Sequence, residues 1–259
     1  MSHPILATRG LGKRFGAVVA AEDVTIEIRA GETLGVIGAN GAGKTTFVNM
    51  VTGYLKPDQG TILFRGDDIT GLAPRQVTRL GVRRSFQVAQ LFANLSVRDN
   101  VLVALASAER EHPALMQTLR TREDVVRADE ILARLGLQEA ATRRPAELPQ
   151  GRRKLLDIAL AMVARSAVLL LDEPTSGISA GEKFPLMDLI FEAVRAQDTA
   201  VLFVEHDMEL VERYATRVIA FYEGRVIADG APAAVLADPA VRRHVVGAEL
   251  HRRLESASA

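Results

Sequence analysis

The chain has 259 residues, 48% of them hydrophobic, and its 32 basic residues balance its 32 acidic residues. That length suffices for one large domain, or a domain with a subdomain, around a sizeable core. The balanced charge argues against recruitment by nucleic acid or acidic lipid, and the lack of cysteine excludes disulfides and thiolate metal sites. The first residues lack a secretion signal, and no apolar run approaches the roughly 18 residues of a membrane span. We therefore expect a cytosolic protein.

Short runs of strand-forming residues recur along the chain and predict seven β-strands. They cover residues 24–28, 33–37, 61–64, 168–171, 200–204, 218–221 and 225–228. The runs at 168–171 and 200–204 are almost wholly apolar, which is typical of parallel strands buried on both faces.

Between about residues 87 and 165 the strand pattern stops and helical patterns replace it. Ser96 caps a predicted helix at 97–107, and further helices are predicted at 122–135 and 152–164. Pro145 and Pro149 interrupt the chain before the third helix. This order predicts an α/β core, residues 1–86 and 166–259, with an α-helical subdomain at 87–165 inserted in it.

A glycine-rich loop lies between the predicted strand 33–37 and a helix-like run at 47–51. It consists of Gly38, Ala39, Asn40, Gly41, Ala42, Gly43, Lys44, Thr45 and Thr46. The loop matches the phosphate-binding pattern G-x-x-x-x-G-K-[ST] in the context that this pattern needs. Its glycines allow a tight turn whose N–H groups point at a phosphate, next to the positive end of a helix dipole. We expect Lys44 to reach the β and γ phosphates and Thr45 to bind Mg²⁺.

Two adjacent acidic residues, Asp172 and Glu173, follow the apolar run at 168–171. A strand that ends there delivers them to the edge where ligands bind in open α/β sheets. Because neighbouring side chains on a strand alternate, the two carboxylates can take separate roles. Asp172 suits the outer shell of Mg²⁺, and Glu173 suits the base that orients and deprotonates the attacking water. An ordinary acidic pair facing solvent is the alternative.

Two further polar residues have the chemistry of a hydrolytic site. His206, in Glu205-His206-Asp207 after the run at 200–204, can place an imidazole N–H on the γ-phosphate. Gln87 lies where the strand pattern gives way to helices, and its neutral amide can contact Mg²⁺ and the attacking water. Each also has an ordinary structural interpretation when taken alone.

Taken in order, these motifs resemble the ATP-binding cassette (ABC) family of transporter ATPases. The resemblance rests on the loop 38–46, on Phe86-Gln87, on Leu148-Pro149-Gln150-Gly151, on the DEP motif at 172–174 and on residues 205–207. A closer resemblance, to the ATPases of branched-chain amino acid importers, rests on residues 84–87, 91–97, 230–232 and 237–241, with Gly177. The resemblance implies a P-loop NTPase core of ABC type with an antiparallel β region, and ATP and Mg²⁺ as cofactors.

The resemblance also implies partners. Two ATPase subunits, identical or paralogous, would pair head to tail, with each ATP between the phosphate loop of one and the signature loop of the other. Integral membrane permease subunits would receive the work through Gln87 and residues 88–94, and a solute-binding protein would act indirectly. The chain would lie at the cytoplasmic face of the cell membrane as a peripheral protein, without a nucleic-acid partner.

Several nucleotide contacts come only from the resemblance. Phe15 matches the aromatic residue that stacks on adenine, although a core or surface phenylalanine is the alternative. The family's signature Leu-Ser-Gly-Gly-Gln falls on residues 148–152, so Pro149, Gln150 and Gly151 are expected to contact ATP, with Gly151 opening a helix from Arg152 onward.

The signature segment departs from the family's pattern. Pro149 replaces a serine and removes both a hydroxyl and a backbone N–H. The Gln150 amide and the Arg152 guanidinium are candidate replacement donors. Ser179 stands where many relatives have an aspartate, and Ser179 to Glu182 also has the pattern of a helix capping box.

The sequence leaves other functions open. An exporter of lipid or glycan has the same motifs, and Pro149 allows a weakly hydrolysing regulatory cassette. A cassette protein acting on ribosomes or DNA would generally carry two cassettes in one chain or a long coiled-coil insertion, and this chain shows neither pattern.

Overall fold

The computed structural model describes residues 3–85, 91–109, 121–163, 166–195 and 199–247. Its strands are β1 (Leu6–Phe15), β2 (Val18–Ile28), β3 (Thr33–Gly38), β4 (Gln59–Phe64), β5 (Asp67–Asp68), β6 (Val82–Ser85), β7 (Val168–Asp172), β8 (Ala200–Val204), β9 (Arg217–Tyr222) and β10 (Arg225–Gly230). Its α-helices are α1 (Lys44–Val51), α2 (Pro74–Leu80), α3 (Val97–Glu109), α4 (Arg122–Arg134), α5 (Gln150–Met162), α6 (Ala180–Arg195), α7 (Met208–Tyr214), α8 (Pro232–Ala237) and α9 (Pro239–Val241). Short 3₁₀ turns at Gln138–Ala140 and Pro145–Glu147 and a π-helical turn at Arg242–Val246 complete these elements.

The larger sheet has six strands in the order β10-β9-β3-β8-β7-β6. All neighbours pair in parallel except β9 and β10, which are antiparallel at one edge. Every residue of β7 and β8 is buried. Leu169 and Leu171 pack into the core on one face of the sheet, whereas Val168 and Leu170 pack into the core on the other. Burial on both faces explains why these strands are apolar throughout, as the sequence predicted.

The smaller sheet has four antiparallel strands in the order β2-β1-β4-β5. In β2, Val24, Ile26 and Ile28 are buried while Thr25 and Glu27 are exposed. This alternation is expected of a sheet with one face on a core and the other toward solvent. The predicted antiparallel β region is therefore present.

The described residues between β6 and β7 are helical, as predicted. Helices α3 and α4 match the predictions at 97–107 and 122–135. Helix α5 begins at Gln150, two residues before the predicted start, so Gly151 lies inside the first turn and does not open the helix. Leu132 of α4 and Leu156 of α5 share a core cluster with Leu171 of β7. The subdomain boundaries at 87 and 165 stay a prediction.

The sequence missed three strands and underestimated another. β1, β5 and β6 were not predicted, and the predicted strand 24–28 is the second half of β2. β1 pairs with β2 on one side and β4 on the other, and β6 pairs with β7. Such strands are specified by partners distant in sequence, since local strand propensity depends strongly on context.

The carboxyl ends of β3, β6, β7 and β8 meet at one edge of the larger sheet. The register pairs Val36 with Val204, Val204 with Asp172, and Leu171 with Ser85. The loops that follow these four strands are therefore neighbours, and the motif residues lie on them.

Candidate active site

The loop between β3 and α1 is shaped by glycine. Gly43 precedes α1 with φ of 106°, and a Cβ atom there would lie 2.4 Å from the Ala20 carbonyl oxygen. Helix α1 has no side-chain cap at Gly43 and no acidic residue in its first turn. The helix therefore presents its first N–H groups and the positive end of its dipole to the loop, an arrangement suited to a phosphate.

Lys44, the first residue of α1, is buried and folded across this loop. Its Nζ donates to the Gly38 carbonyl oxygen at 2.5 Å and to the Ala39 carbonyl oxygen at 3.0 Å. At the tip of the loop, Asn40 and Gly41 are exposed and Ala42 is buried. On α1, Thr45 is exposed and Thr46 is half-buried.

The carboxylate after β7 meets the imidazole after β8. His206 Nε2 lies 2.9 Å from Glu173 Oε1. This hydrogen bond is the main cause that lowers the pKa of Glu173. The charges of Lys44 and Lys154 also lower this pKa, whereas burial raises it. Glu173 also has a left-handed φ of 47°, as do Asp23, Arg65 and Glu223. The structure thus brings Lys44, Glu173 and His206 close together, and their catalytic roles stay a prediction.

Asp172 is buried and paired with a residue to which sequence reasoning gave no role. The Arg84 guanidinium of β6 donates to Asp172 Oδ2 and, at 2.6 Å, to Asn49 Oδ1 of α1. Among the described residues, no cluster of three or more His, Cys, Asp or Glu side chains could hold a metal ion. Mg²⁺ beside a nucleotide needs only one or two protein oxygens plus phosphates and water, so Thr45 and Asp172 fit that mode.

Two other buried charges behind the site were also missed. Glu205 accepts hydrogen bonds from Thr175 and from the His206 backbone, and Lys154 of α5 donates to the Asp172 carbonyl oxygen at 3.5 Å. The position of Glu205 directly after a buried strand was the available signal. For Lys154, only the fold brings α5 to β7. Gln87 lies outside the described residues.

Phe15 is 52% exposed at the end of β1, in the turn that leads to β2. The Lys13 ammonium lies 5.7 Å from the centroid of its ring. Ala20 of β2 lies against Gly43, so β2 passes beside the phosphate loop. Phe15 is therefore not a core residue, and its stacking on adenine, with a surface phenylalanine as the alternative, stays a prediction.

The signature segment lies at the start of α5. Pro149 directly precedes the helix in an extended conformation. Pro149, Gln150 and Arg152 are exposed, and Gly151 is half-buried. Gln150 Nε2 donates weakly to the Ser176 carbonyl oxygen at 3.4 Å, in the loop that follows Glu173.

Ser179 lies at the start of α6. Its hydroxyl contacts the Glu182 carboxylate, and the Glu182 N–H donates to the Ser179 carbonyl oxygen at 2.9 Å. The predicted helix start is confirmed, although the Glu182 N–H bonds the backbone oxygen of Ser179 and not its side chain.

One sheet edge thus carries a phosphate loop, a strand-end acidic pair and a histidine, which are the parts of a nucleotide hydrolase. Comparison with known proteins shows the family of the chain. Residues 21–176 match the family described as ABC transporter. The chain belongs to that family. The ABC cassette is 38% identical over 255 residues to the high-affinity branched-chain amino acid transport ATP-binding protein LivG of Salmonella typhimurium. This alignment covers 95% of this chain and 99% of LivG. The corresponding protein BraF of Pseudomonas aeruginosa is 34% identical with the same coverage.

Solved structures agree with this assignment. The chain resembles MJ1267, an ATP-binding cassette of an ABC transporter, with a TM-score of 0.82 and 29% identity over 93% of this chain and 98% of that one. The predicted fold class and the predicted ATPase activity are confirmed. In the part of the chain that the structure describes, no helix has the length and apolarity needed to cross a bilayer.

Proposed function

We propose that this cassette is the ATP-hydrolysing subunit of a membrane importer, for branched-chain amino acids or related small carboxylates. The contact between Glu173 and His206 beside Lys44 carries the proposal, because a carboxylate, an imidazole and an ammonium group that suit the base, the γ-phosphate donor and the phosphate-binding cation lie close together. The names of LivG and BraF, which match nearly full length, support the solute class.

The residues divide the work of hydrolysis. Lys44 leaves the carbonyl oxygens of its own loop to bind the β and γ phosphates. Glu173 is ionised at neutral pH, as a glutamate with an ordinary or lowered pKa is, so it can orient the attacking water and accept its proton. The His206 imidazole donates to the γ-phosphate.

Thr45, Asp172 and Gln87 would hold Mg²⁺, which when bound neutralises charge on the phosphates. Arg84 bonds one Asp172 oxygen, so the other oxygen of that carboxylate would be the one to accept from water around the ion.

A second ATPase subunit completes the site. Phe15 stacks on adenine, and Pro149, Gln150 and Gly151 of one subunit face the γ-phosphate held by the other. ATP that contacts both subunits favours the closed dimer, and hydrolysis allows it to open. Moving such an equilibrium from 1:99 to 99:1 requires about 5.5 kcal/mol of differential binding, which two phosphate sites with charge-assisted hydrogen bonds can supply.

The dimer would act on permease subunits from the cytoplasmic face of the membrane. We place the contact at Gln87 and residues 88–94, where Phe92 is 55% exposed. A solute-binding protein would act on the permease from the other side.

Reconstitution tests this function. The chain is purified with the membrane subunits that it binds and placed in vesicles, and ATP turnover is measured with leucine, isoleucine, valine, urea or aromatic acids and their binding protein. We expect stimulation by the branched-chain amino acids, and none in the Glu173→Gln variant. Stimulation only by a lipid or glycan substrate would indicate an exporter.

A weakly hydrolysing regulatory cassette is the second candidate, motivated by Pro149. The intact pair of Glu173 and His206 opposes it. A phosphate-release assay on the purified chain separates the two, because a regulatory cassette would bind ATP with little turnover.

A further inference from the structure

Glu205 is a buried carboxylate between two catalytic loops. It is 3% exposed. Its Oε1 accepts hydrogen bonds from the Thr175 backbone N–H at 2.9 Å and from the Thr175 hydroxyl at 2.7 Å. Its Oε2 accepts from the His206 backbone N–H at 3.2 Å. One side chain therefore joins the loop after β7 to the loop after β8.

A buried carboxylate costs free energy unless it is hydrogen-bonded and near a compensating charge. Glu205 has three donors, and the ammonium of Lys154, itself 6% exposed, interacts with its charge. These partners hold Glu205 in one position. The cost of burying it suggests that its geometry serves the site.

The two joined loops carry the hydrolytic groups. Thr175 lies two residues after Glu173, and His206 directly follows Glu205. We propose that Glu205 is a positioning residue for ATP hydrolysis, which keeps the Glu173 carboxylate and the His206 imidazole in contact by fixing both loops. This inference rests on the roles of Glu173 and His206 proposed above.

The three donors explain why the residue is a carboxylate. Glutamine offers one acceptor oxygen and one NH₂ group, so an amide donor would face either Thr175 or the His206 N–H. That variant keeps the shape of Glu205 but loses at least one hydrogen bond and the negative charge.

The test combines Glu205→Gln with Thr175→Val, which removes only the hydroxyl on the other side of the contact. Glu32→Gln is the matched control, since Glu32 also accepts from a backbone N–H, of Arg29 at 2.8 Å, and pairs with Arg217. It lies before β3, at the opposite end of the sheet. For each variant, ATP turnover, binding of a fluorescent ATP analogue and thermal unfolding are measured.

We expect kcat to fall about 10- to 100-fold in Glu205→Gln while ATP affinity stays within about 3-fold, because only the reacting geometry is disturbed. Thr175→Val lowers kcat in the same way but less, and the double variant is no slower than Glu205→Gln alone. Glu32→Gln keeps the kcat of the parent.

Two results would overturn the inference: an unchanged kcat in Thr175→Val and Glu205→Gln, or a loss of kcat that only follows lost thermal stability and ATP binding. If Glu205→Gln does not fold, Thr175→Val decides alone. Glu173→Gln in the same assay separates the two proposals. Full ATP turnover by Glu173→Gln would refute Glu173 as the general base. An inactive Glu173→Gln beside a fully active Glu205→Gln would refute only the positioning role of Glu205.

Discussion

At the scale of single residues, the chemistry depends on the environment of Glu173. The His206 hydrogen bond lowers the pKa of this carboxyl most, and burial opposes it. A glutamate is ionised at neutral pH even at its ordinary pKa, so the lowered pKa adds no further charge there. Because a lowered pKa makes the carboxylate a weaker base, the contact with His206 serves the proposed general-base role by aligning Glu173.

Glu173→Gln removes the base and keeps the shape of the side chain. We expect ATP to bind and kcat to fall by at least about 100-fold, the usual contribution of a positioned general base. Phosphate release and ATP-analogue binding measure the two effects. Glu22→Gln, a carboxylate paired with Arg225 in an exposed contact, is the control. Rapid hydrolysis by Glu173→Gln would place the base elsewhere.

His206→Ala removes the main cause of the lowered pKa of Glu173. The pKa of Glu173 then rises, so a higher pH is needed to ionise it, and the acid limb of the kcat–pH profile moves to higher pH. The rate itself also falls. His244→Ala serves as the control, because His244 stacks on Tyr222 with ring centroids 4.2 Å apart. An unmoved acid limb would show that the imidazole does not set the ionisation of Glu173.

At the scale of elements, the phosphate loop depends on the close approach of β2 to its last glycine. Gly43→Ala places a methyl group 2.4 Å from the Ala20 carbonyl oxygen, whereas Gly66, with a similar φ of 92°, has open space around it. Both alanine variants carry the strain of positive φ, about 1 kcal/mol. Only Gly43→Ala should displace the loop.

We therefore expect Gly43→Ala to lose ATP binding and Gly66→Ala to keep it with a small loss of thermal stability. Titration with a fluorescent ATP analogue and thermal unfolding measure the two properties. Equal ATP affinity in both variants would mean that the contact with Ala20 does not shape the loop.

The sequence predicted the strands that are buried on both faces of the sheet and the helices whose pattern lies within the helix itself. β8 matches its prediction, and β7 differs by one residue. α4 was predicted from the helical pattern at 122–135, and in the structure Thr121 caps it by accepting from the Asp124 N–H. β1 escaped prediction because its glycines and charged residues carry a weak strand signal that pairing on both sides overrides.

At the scale of the whole molecule, the proposed mechanism requires a second ATPase subunit whose nucleotide meets Pro149 at the start of α5. We expect Glu173→Gln to accumulate as an ATP-bound dimer, since hydrolysis no longer opens it. In that background Pro149→Ser restores a hydroxyl and an N–H near the partner's phosphate. A hydrogen bond to a charged group contributes about 1.5–3 kcal/mol, so each restored bond tightens the dimer about 10- to 150-fold.

Sedimentation at several protein concentrations, with and without ATP, measures this effect. Pro149→Ala is the matched control, since it restores the N–H but not the hydroxyl. If Pro149→Ser and Pro149→Ala both leave the dimer dissociation constant unchanged, the start of α5 does not contact the partner's nucleotide.

The sequence by itself determined the family, the phosphate loop and the acidic pair, because these motifs are contiguous and their residue types follow from local chemistry. The tertiary structure decided which charges meet. Arg84, Lys154 and Glu205 lie on separate elements, and only the packing of α5 and the register of β6, β7 and β8 bring them behind the site. Buried ion pairs between distant segments leave no local pattern, since each charge alone resembles an exposed surface residue until the fold removes it from water.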